Sequence, residues 1–165
     1  MKEELVDKAK WKVYTDGSAI DGGVGAAAVL FEDGKTDAGK ALTLHLGPTE
    51  HHTVYEGEAV GGILAAKLLQ EQDIKVDEGI SIYVDNQSVI SGAKKIHNRS
   101  AQYLLNEFHD ALLRVPTVKL FARSNKLSIR WISAHSGVEG NEMVDKLAKA
   151  AAQGYSSPKE LIPKE

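Results

Sequence analysis

The sequence contains no cysteine and no long apolar run among its 165 residues. Without cysteine, the chain can form neither a disulfide nor a cysteine-ligated zinc site, and such a composition is compatible with an intracellular protein. No apolar run approaches the roughly 20 residues that a membrane-spanning helix requires. The charged opening MKEELVDKAKWK lacks the apolar core of a secretory signal. We therefore expect an intracellular protein of the nucleus or cytoplasm, neither secreted nor bound to a membrane.

The sequence also lacks an excess of positive charge, since its formal net charge is -3. Proteins that coat nucleic acid usually carry a positive excess because the neutralisation of phosphates drives their binding. A site built from carboxylates, however, contributes several negative charges of its own, and bound divalent metals reverse that sign. The net charge therefore does not decide whether the chain binds nucleic acid.

The length and the apolar patterning predict one α/β domain. We place this domain at residues 11–154, between an N-terminal extension (1–10) and a C-terminal tail (155–165). Apolar periodicity and turn signals predict the element order β-β-β-α-β-α-α-β-α. The predicted strands are 12–19, 24–32, 37–46, 80–85 and 127–132, and the predicted helices are about 53–71, 87–96, 101–114 and 140–153.

The element order predicts a five-stranded mixed sheet. The first three strands, joined by tight turns, should form an antiparallel meander. The two later strands are separated by helices and should run parallel to the first strand, with helices on both faces of the sheet. Gly61 and Gly62 would each cost roughly 1 kcal/mol inside the first helix. We expect a close approach of that helix to the sheet to compensate.

Four acidic residues stand where a structural role is not the obvious one. Asp16 lies inside the first strand, where aspartate is depleted, and Asp85 ends the fourth strand, at the edge where open α/β sheets bind ligands. Glu58 lies in the first turns of the first helix, and Asp145 lies one turn into the last helix. Each has an ordinary alternative: turn chemistry for Asp16, helix capping for Asp85, the helix dipole for Glu58, and plain solvent exposure for Asp145.

Taken together, the four carboxylates are better explained by a metal site. Two adjacent central strands would bring Asp16 and Asp85 side by side, and the starts of two helices could project Glu58 and Asp145 toward them. Carboxylates so close repel one another unless cations share them. Oxygen-only ligands favour hard ions such as Mg²⁺ or Mn²⁺. Two such ions suit in-line displacement at phosphorus, one activating water and the other stabilising the leaving oxygen.

Four segments of the sequence resemble the type 1 ribonuclease H family. The family's first hairpin is similar to YTDGSAIDGGVGAAAVL, its first helix to TVYEGEAVGGILAAKLL, its fourth strand to YVDNQS, and its C-terminal motif to WISAHSGVEGNEMVDKLAKAAA. The C-terminal motif is the most specific of the four. It is most similar to the ribonuclease H domains of retroelement reverse transcriptases, especially those without long terminal repeats. The matches extend over residues 11–153 in the family's order.

The resemblance implies a ribonuclease H-like fold and an endoribonuclease that hydrolyses the RNA strand of RNA–DNA hybrids. Two Mg²⁺ ions, with Mn²⁺ as a substitute, would serve the reaction and leave 5′-phosphate and 3′-hydroxyl ends. The metal-binding carboxylates would be Asp16, Glu58, Asp85 and Asp145. His135, on the loop before the last helix, would assist proton transfer and product departure, and an unperturbed imidazole suits that role.

The resemblance also implies substrate contacts beside the carboxylates, from Gly17, Ser18, Asn86 and Gln87. Choosing the RNA strand requires a reading of the 2′-hydroxyl, and contacts to phosphate and sugar give little sequence preference. The partner we expect is the RNA–DNA hybrid, together with a reverse transcriptase domain if the chain is part of a longer polyprotein. We expect the protein to be a monomer.

One departure from the family pattern, one competing residue and two alternative functions stand beside this interpretation. Val54 and Tyr55 replace the asparagines that many family members carry before the helix glutamate. Glu56 competes with Glu58 for that glutamate position, and the spacing from Thr53 favours Glu58. One alternative is a non-catalytic nucleic-acid-binding or scaffolding domain, which the loss of a metal carboxylate would mark. The other is an integrase-like or exonuclease-like nuclease, against which the H-S-G-x-x-G-N-E-x-x-D ending argues.

Overall fold

The computed structural model of the chain describes residues 9–33, 40–72, 74, 79–84, 127–131 and 139–155. These residues form five strands: β1 (Trp11–Ile20), β2 (Gly23–Glu32), β3 (Lys40–Pro48), β4 (Ile80–Val84) and β5 (Leu127–Trp131). They also form two helices, α1 (Val54–Gln70) and α2 (Glu139–Ala152). The helices predicted at 87–96 and 101–114 lie outside the described residues.

The strands form one mixed sheet in the order β3-β2-β1-β4-β5. β2 pairs antiparallel with both β1 and β3, whereas β4 pairs parallel with both β1 and β5. The predicted α/β class, the five-stranded mixed sheet and the strand directions are therefore confirmed. The third strand ends at Pro48, beyond the predicted residue 46, because its ladder with β2 continues to the pair Gly23↔Pro48.

A two-residue turn joins β1 to β2. Asp21 and Gly22 occupy it with φ angles of 53° and 78°, and Asp-Gly is a favoured pair for a hairpin turn that needs positive φ at both positions. The tight turn keeps β1 extended as far as Ile20, which pairs with Gly23. Asp16 consequently lies within a paired strand, and the alternative that assigned it to a turn is wrong.

The two helices cover opposite faces of the sheet, as predicted. Val13 of β1 packs in a buried apolar cluster with Leu64 of α1. The next residue, Tyr14, packs in a second cluster with Val144 of α2. Because successive side chains of a strand point to opposite faces, this alternation assigns α1 to one face and α2 to the other. Tyr14 also stacks on Tyr83 of β4, with 4.8 Å between ring centroids.

Helix α1 begins after Thr53, whose hydroxyl accepts a hydrogen bond from the backbone N–H of Glu56 at 3.1 Å. Such an N-cap satisfies one of the free donors of the first turn. Further along the helix, a Cβ on Gly61 would lie 3.2 Å from the carbonyl oxygen of Asp16 and 3.4 Å from that of Ala27. The close approach expected from the glycines is therefore confirmed at Gly61.

Helix α2 is amphipathic and rests its last turn on β2. Its buried residues include Val144 and Ala148, whereas its exposed residues include Lys146. A Cβ on Gly25 would lie 2.1 Å from the backbone nitrogen of Ala152, so only glycine permits this contact. Neither described helix is long and apolar enough to cross a membrane.

Replacement of Leu64 by alanine should lower the free energy of unfolding by about 3 kcal/mol, the usual loss for a buried leucine that leaves a cavity. Leu64 is completely buried in the cluster that joins α1 to the sheet. Urea denaturation followed by circular dichroism measures the change. Val54→Ala is the control, because Val54 is 39% exposed and should change stability by less than about 0.5 kcal/mol. Equal losses for the two variants would contradict this packing.

Candidate active site

The structure describes three of the four predicted metal carboxylates: Asp16, Glu58 and Asp145. Asp85 directly follows Val84, the last residue of β4, but lies outside the described residues. His135, Asn86 and Gln87 also lie outside the described residues. Their assignments stay predictions, and the geometry below concerns the three carboxylates that are described.

Asp16 is a buried carboxylate near the middle of β1. Only 6% of its surface is exposed. It pairs with Ala27 on the β2 side, whereas the ladder with β4 reaches its last described pair at Thr15↔Val84. Asp16 therefore stands one residue beyond the described β4 ladder. Its Oδ1 oxygen accepts a hydrogen bond of 2.9 Å from the backbone N–H of Gly17, an interaction that favours the ionised carboxylate.

Glu58 is also buried, at 9% exposure, in the second turn of α1. Its Oε2 oxygen has almost no contact with solvent. Glu56, its competitor in the sequence, is engaged elsewhere: Oε2 of Glu56 lies 3.1 Å from Nδ1 of His52, one turn earlier. The structure thus gives Glu56 a local partner at the start of the helix and gives Glu58 the buried position next to β1.

Gly17 allows α1 to reach β1 beside Asp16. A Cβ at Gly17 would lie 2.5 Å from the backbone nitrogen of Glu58 and 2.6 Å from the carbonyl carbon of Gly57. No side chain fits into that space, so glycine is required if Glu58 is to stay in place. Gly17 was predicted as a substrate contact, and the packing role is an addition that linear spacing did not reveal. Ser18, the other described substrate prediction, is half-buried.

Asp145 lies on α2 and is paired with a lysine. Its Oδ2 oxygen is 2.8 Å from Nζ of Lys149, one turn later. The hydrogen bond and charge of Asp145 raise the pKa of Lys149, and the charge of Asp16 adds to the rise. Asp16 and Asp145 therefore act on the same ammonium group. Lys149 was not among the predicted site residues, although the spacing of an acid and a lysine four residues apart on a helix could have indicated it.

Tyr55 lies on α1, three residues before Glu58, and the charge of the Glu58 carboxylate acts on its phenol group. Its side chain is half-buried. Burial raises the pKa of the Tyr55 phenol, and the negative charge of Glu58 raises it further. Residues three apart on a helix share a face, so Tyr55 and Glu58 lie on the same face of α1.

The described donors fit a hard divalent cation. They are carboxylate oxygens only, two of the three carboxylates are buried, and the Lys149 ammonium already provides one positive charge next to Asp145. Oxygen donors of this kind suit Mg²⁺ or Mn²⁺. Within the described part of the chain, no three acidic or histidine side chains converge tightly enough to enclose a metal ion. The described links between the three residues are indirect: Asp16 and Asp145 both act on the Lys149 ammonium group, and Glu58 packs against Gly17, the residue after Asp16.

A family model described as RNase H matches residues 8–153 of the chain. No curated protein matches the chain. The RNase H1 of the halophilic archaeon Halobacterium salinarum is similar in structure, with a TM-score of 0.67 and 16% sequence identity over 88% of this chain and 98% of that one.

Two further solved structures share the fold. LC11-RNase H1 in complex with an RNA/DNA hybrid gives a TM-score of 0.66 at 21% identity, over 87% of this chain and 97% of that one. The protease–reverse transcriptase of prototype foamy virus gives 0.64 at 16% identity, over 90% of this chain and 21% of that much longer one. At such identities the likeness establishes the fold.

Gly17→Ala should weaken metal binding as well as stability. The added methyl group would collide with backbone atoms of α1, and overpacking of this kind costs roughly 1–3 kcal/mol. The displaced helix would carry Glu58 away from Asp16. Denaturation measures the stability, and calorimetric titration with Mn²⁺ measures the affinity.

The control for this variant is Gly22→Ala. Gly22 also has an unfavourable conformation for alanine, with a φ angle of 78°, but no atom lies within 4 Å of its added Cβ. It should lose about 1 kcal/mol of stability and keep its affinity for Mn²⁺. Unchanged metal affinity in Gly17→Ala would contradict the role assigned to the contact.

Glu58→Gln should lower the pKa of Tyr55 and leave it above the ordinary value for a phenol. The substitution removes the charge of Glu58 but not the burial of Tyr55, which is the larger of the two causes. Titration of the tyrosine Cζ resonances by NMR, assigned with a Tyr55→Phe variant, measures the shift. A pKa of Tyr55 that does not change would show that the Glu58 carboxylate lies elsewhere.

Proposed function

Because the chain belongs to the RNase H family, we propose that it is an endoribonuclease that hydrolyses the RNA strand of RNA–DNA hybrids. The observation that carries the proposal is the pair of buried carboxylates, Asp16 and Glu58: Glu58 packs against Gly17, the residue that directly follows Asp16. Asp145, on α2, acts together with Asp16 on the ammonium group of Lys149. The hybrid bound to LC11-RNase H1, a protein of the same fold, supports the choice of substrate.

Members of this family depend on divalent metal ions, and the residues of this chain that would hold them are Asp16, Glu58, Asp85 and Asp145. Two Mg²⁺ ions, when bound, would supply activation of water and stabilisation of negative charge on the leaving oxygen. The burial of Asp16 and Glu58 supports this assignment, since carboxylates kept ionised away from water need cations or hydrogen bonds.

The reaction that we propose breaks the bond between phosphorus and the 3′ oxygen of the RNA strand. Water contributes the oxygen that joins phosphorus, and one of its protons ends on the released 3′-hydroxyl. The products are therefore a 5′-phosphate and a 3′-hydroxyl. His135 is the proposed group for proton transfer, because an imidazole both accepts and donates protons near neutral pH.

The proposed substrate contacts are Gly17, Ser18, Asn86 and Gln87. Ser18 lies on β1, two residues after Asp16, and is half-buried. We also propose a retroelement origin, which rests on the C-terminal motif and agrees with the likeness to a viral reverse transcriptase. We propose further that the domain spans residues 11–154, that the protein is a monomer, and that it is intracellular.

The test compares the wild-type protein with Asp16→Asn on an end-labelled RNA–DNA hybrid in the presence of Mg²⁺ or Mn²⁺. The wild type should cut only the RNA strand, and its products should carry 3′-hydroxyl ends that a polymerase can extend. Asp16→Asn should be slower by at least about 100-fold, because metal-ion stabilisation contributes several kcal/mol to such reactions. EDTA should abolish cleavage.

Asp21→Asn is the matched control, since Asp21 is exposed in the β1–β2 turn and asparagine tolerates positive φ. This variant should keep the wild-type rate. Single-stranded RNA and duplex DNA serve as control substrates. Cleavage of duplex DNA would favour an integrase-like or exonuclease-like enzyme, whereas a folded wild type that binds the hybrid without cutting it would favour the scaffolding alternative.

A further inference from the structure

We propose that Lys149 is an internal competitor for the divalent metal: its ammonium group holds Asp145 while metal is absent and leaves that carboxylate when metal binds. The inference rests on the proposed function, because it takes Asp145 to be a metal carboxylate. It assigns to Lys149 a role in setting how much metal the protein needs.

The geometry makes Lys149 a direct rival of a metal ion. Nζ of Lys149 lies 2.8 Å from Oδ2 of Asp145, a distance at which a charge-assisted hydrogen bond forms. A cation coordinated by that oxygen would lie within a few ångströms of the ammonium group and would be repelled by its charge. The two cations therefore oppose each other's binding at Oδ2 of Asp145.

The surroundings allow Lys149 to move away. Its side chain is 48% exposed, and that of Asp145 is 35% exposed, so the released ammonium can return to water without being buried. A lysine side chain is long and flexible and holds its charge as a compact ammonium group. Departure of Lys149 therefore requires a change of rotamer, with α2 remaining in place.

A second carboxylate also acts on Lys149 by its charge. The carboxylate of Asp16, on the strand beneath α2, contributes to the electrostatic field at the ammonium group in addition to Asp145. Two carboxylates from different elements therefore favour a cation at this point. Lys149 provides that cation when no metal is bound, and it partly neutralises the negative charge of the described carboxylates.

A second pair in the chain has the same spacing without the same surroundings. Lys67 lies 3.8 Å from Glu71, four residues later on α1, and its side chain is 30% exposed. Neither residue is one of the predicted metal carboxylates. Replacing Lys67 removes the same charge from the protein as replacing Lys149, and therefore controls for the change in net charge.

The experiment is calorimetric titration of the full chain with Mn²⁺, without nucleic acid, for the wild type, Lys149→Met, Lys149→Arg and Lys67→Met. Lys149→Met should bind Mn²⁺ roughly two- to five-fold more tightly, the range that corresponds to an exposed ion pair. Lys149→Arg keeps the competing charge and should stay near the wild-type affinity, as should Lys67→Met.

Thermal unfolding provides the second measurement. Without metal, Lys149→Met should melt below the wild type, because the carboxylates lose their internal cation. Saturating Mn²⁺ should close that gap, since an ion that binds the native state stabilises it by mass action. Lys67→Met should show no such dependence on metal.

The outcomes separate this inference from the proposed function. Equal or weaker Mn²⁺ binding by a folded Lys149→Met, beside a wild type that binds Mn²⁺, would overturn the competition and leave the metal site intact. Equal tightening in Lys149→Met and Lys67→Met would also overturn it, because net charge would then explain the effect. A folded wild type that binds no Mn²⁺ would overturn the metal site itself.

Discussion

The contact between the first turns of α1 and the backbone of β1 is the constraint on which the site depends. At Gly17 the two backbones are so close that even a methyl group would overlap with Glu58 and Gly57. A similar contact at Gly25 fixes the last turn of α2 on β2. Because backbone rather than side chains sets these distances, the helices cannot settle at alternative depths by changing rotamers. The positions of Glu58 and Asp145 relative to the sheet follow from them.

Compensation of negative charge is the second constraint, and the surroundings differ among the three proposed metal carboxylates that the structure describes. Asp16 receives a backbone hydrogen bond from Gly17, and Asp145 receives the ammonium group of Lys149. Next to Glu58 lies Tyr55, whose pKa is raised by burial and further by the charge of Glu58. Carboxylates removed from water need a compensating charge or hydrogen bonds, and a bound cation can provide that charge. The same feature that would strain an ordinary core therefore suits a phosphoryl-transfer site.

Much of the architecture could be predicted because its causes are local. The Gly22–Gly23 pair predicts a turn before the second strand, and the change from strand-like to helical spacing after residue 53 predicts α1. The choice of Glu58 over Glu56 rested on spacing, and the structure gives Glu56 a separate partner in His52. The resemblance to the family also gave the order in which the four carboxylates occur along the chain. No local sequence pattern contains that information.

The rest depends on distances between segments that the linear sequence does not contain. Gly17 looked like part of a substrate-contacting motif, and only the packing of α1 shows that its missing side chain leaves room for Glu58. In the sequence, Lys149 is like any exposed lysine of an amphipathic helix. The structure shows that the charge of Asp16, on β1, also acts on its ammonium group. The end of β3 was placed too early because a strand's length is fixed by its ladder partner, here Gly23 of β2.

The order of the strands in the sheet also has a consequence for how the chain folds. The β1–β2–β3 meander closes short loops, whereas α2 must return to a strand far behind it in the chain: its contact between Ala151 and His45 spans 106 residues. The entropy lost on closing a loop grows with its length, so the meander can form early and α2 docks late. Asp145 arrives with that last element. If the proposed metal ions bind these carboxylates, they would meet the complete set only in the folded chain, so metal binding would report on the native state and would not precede folding.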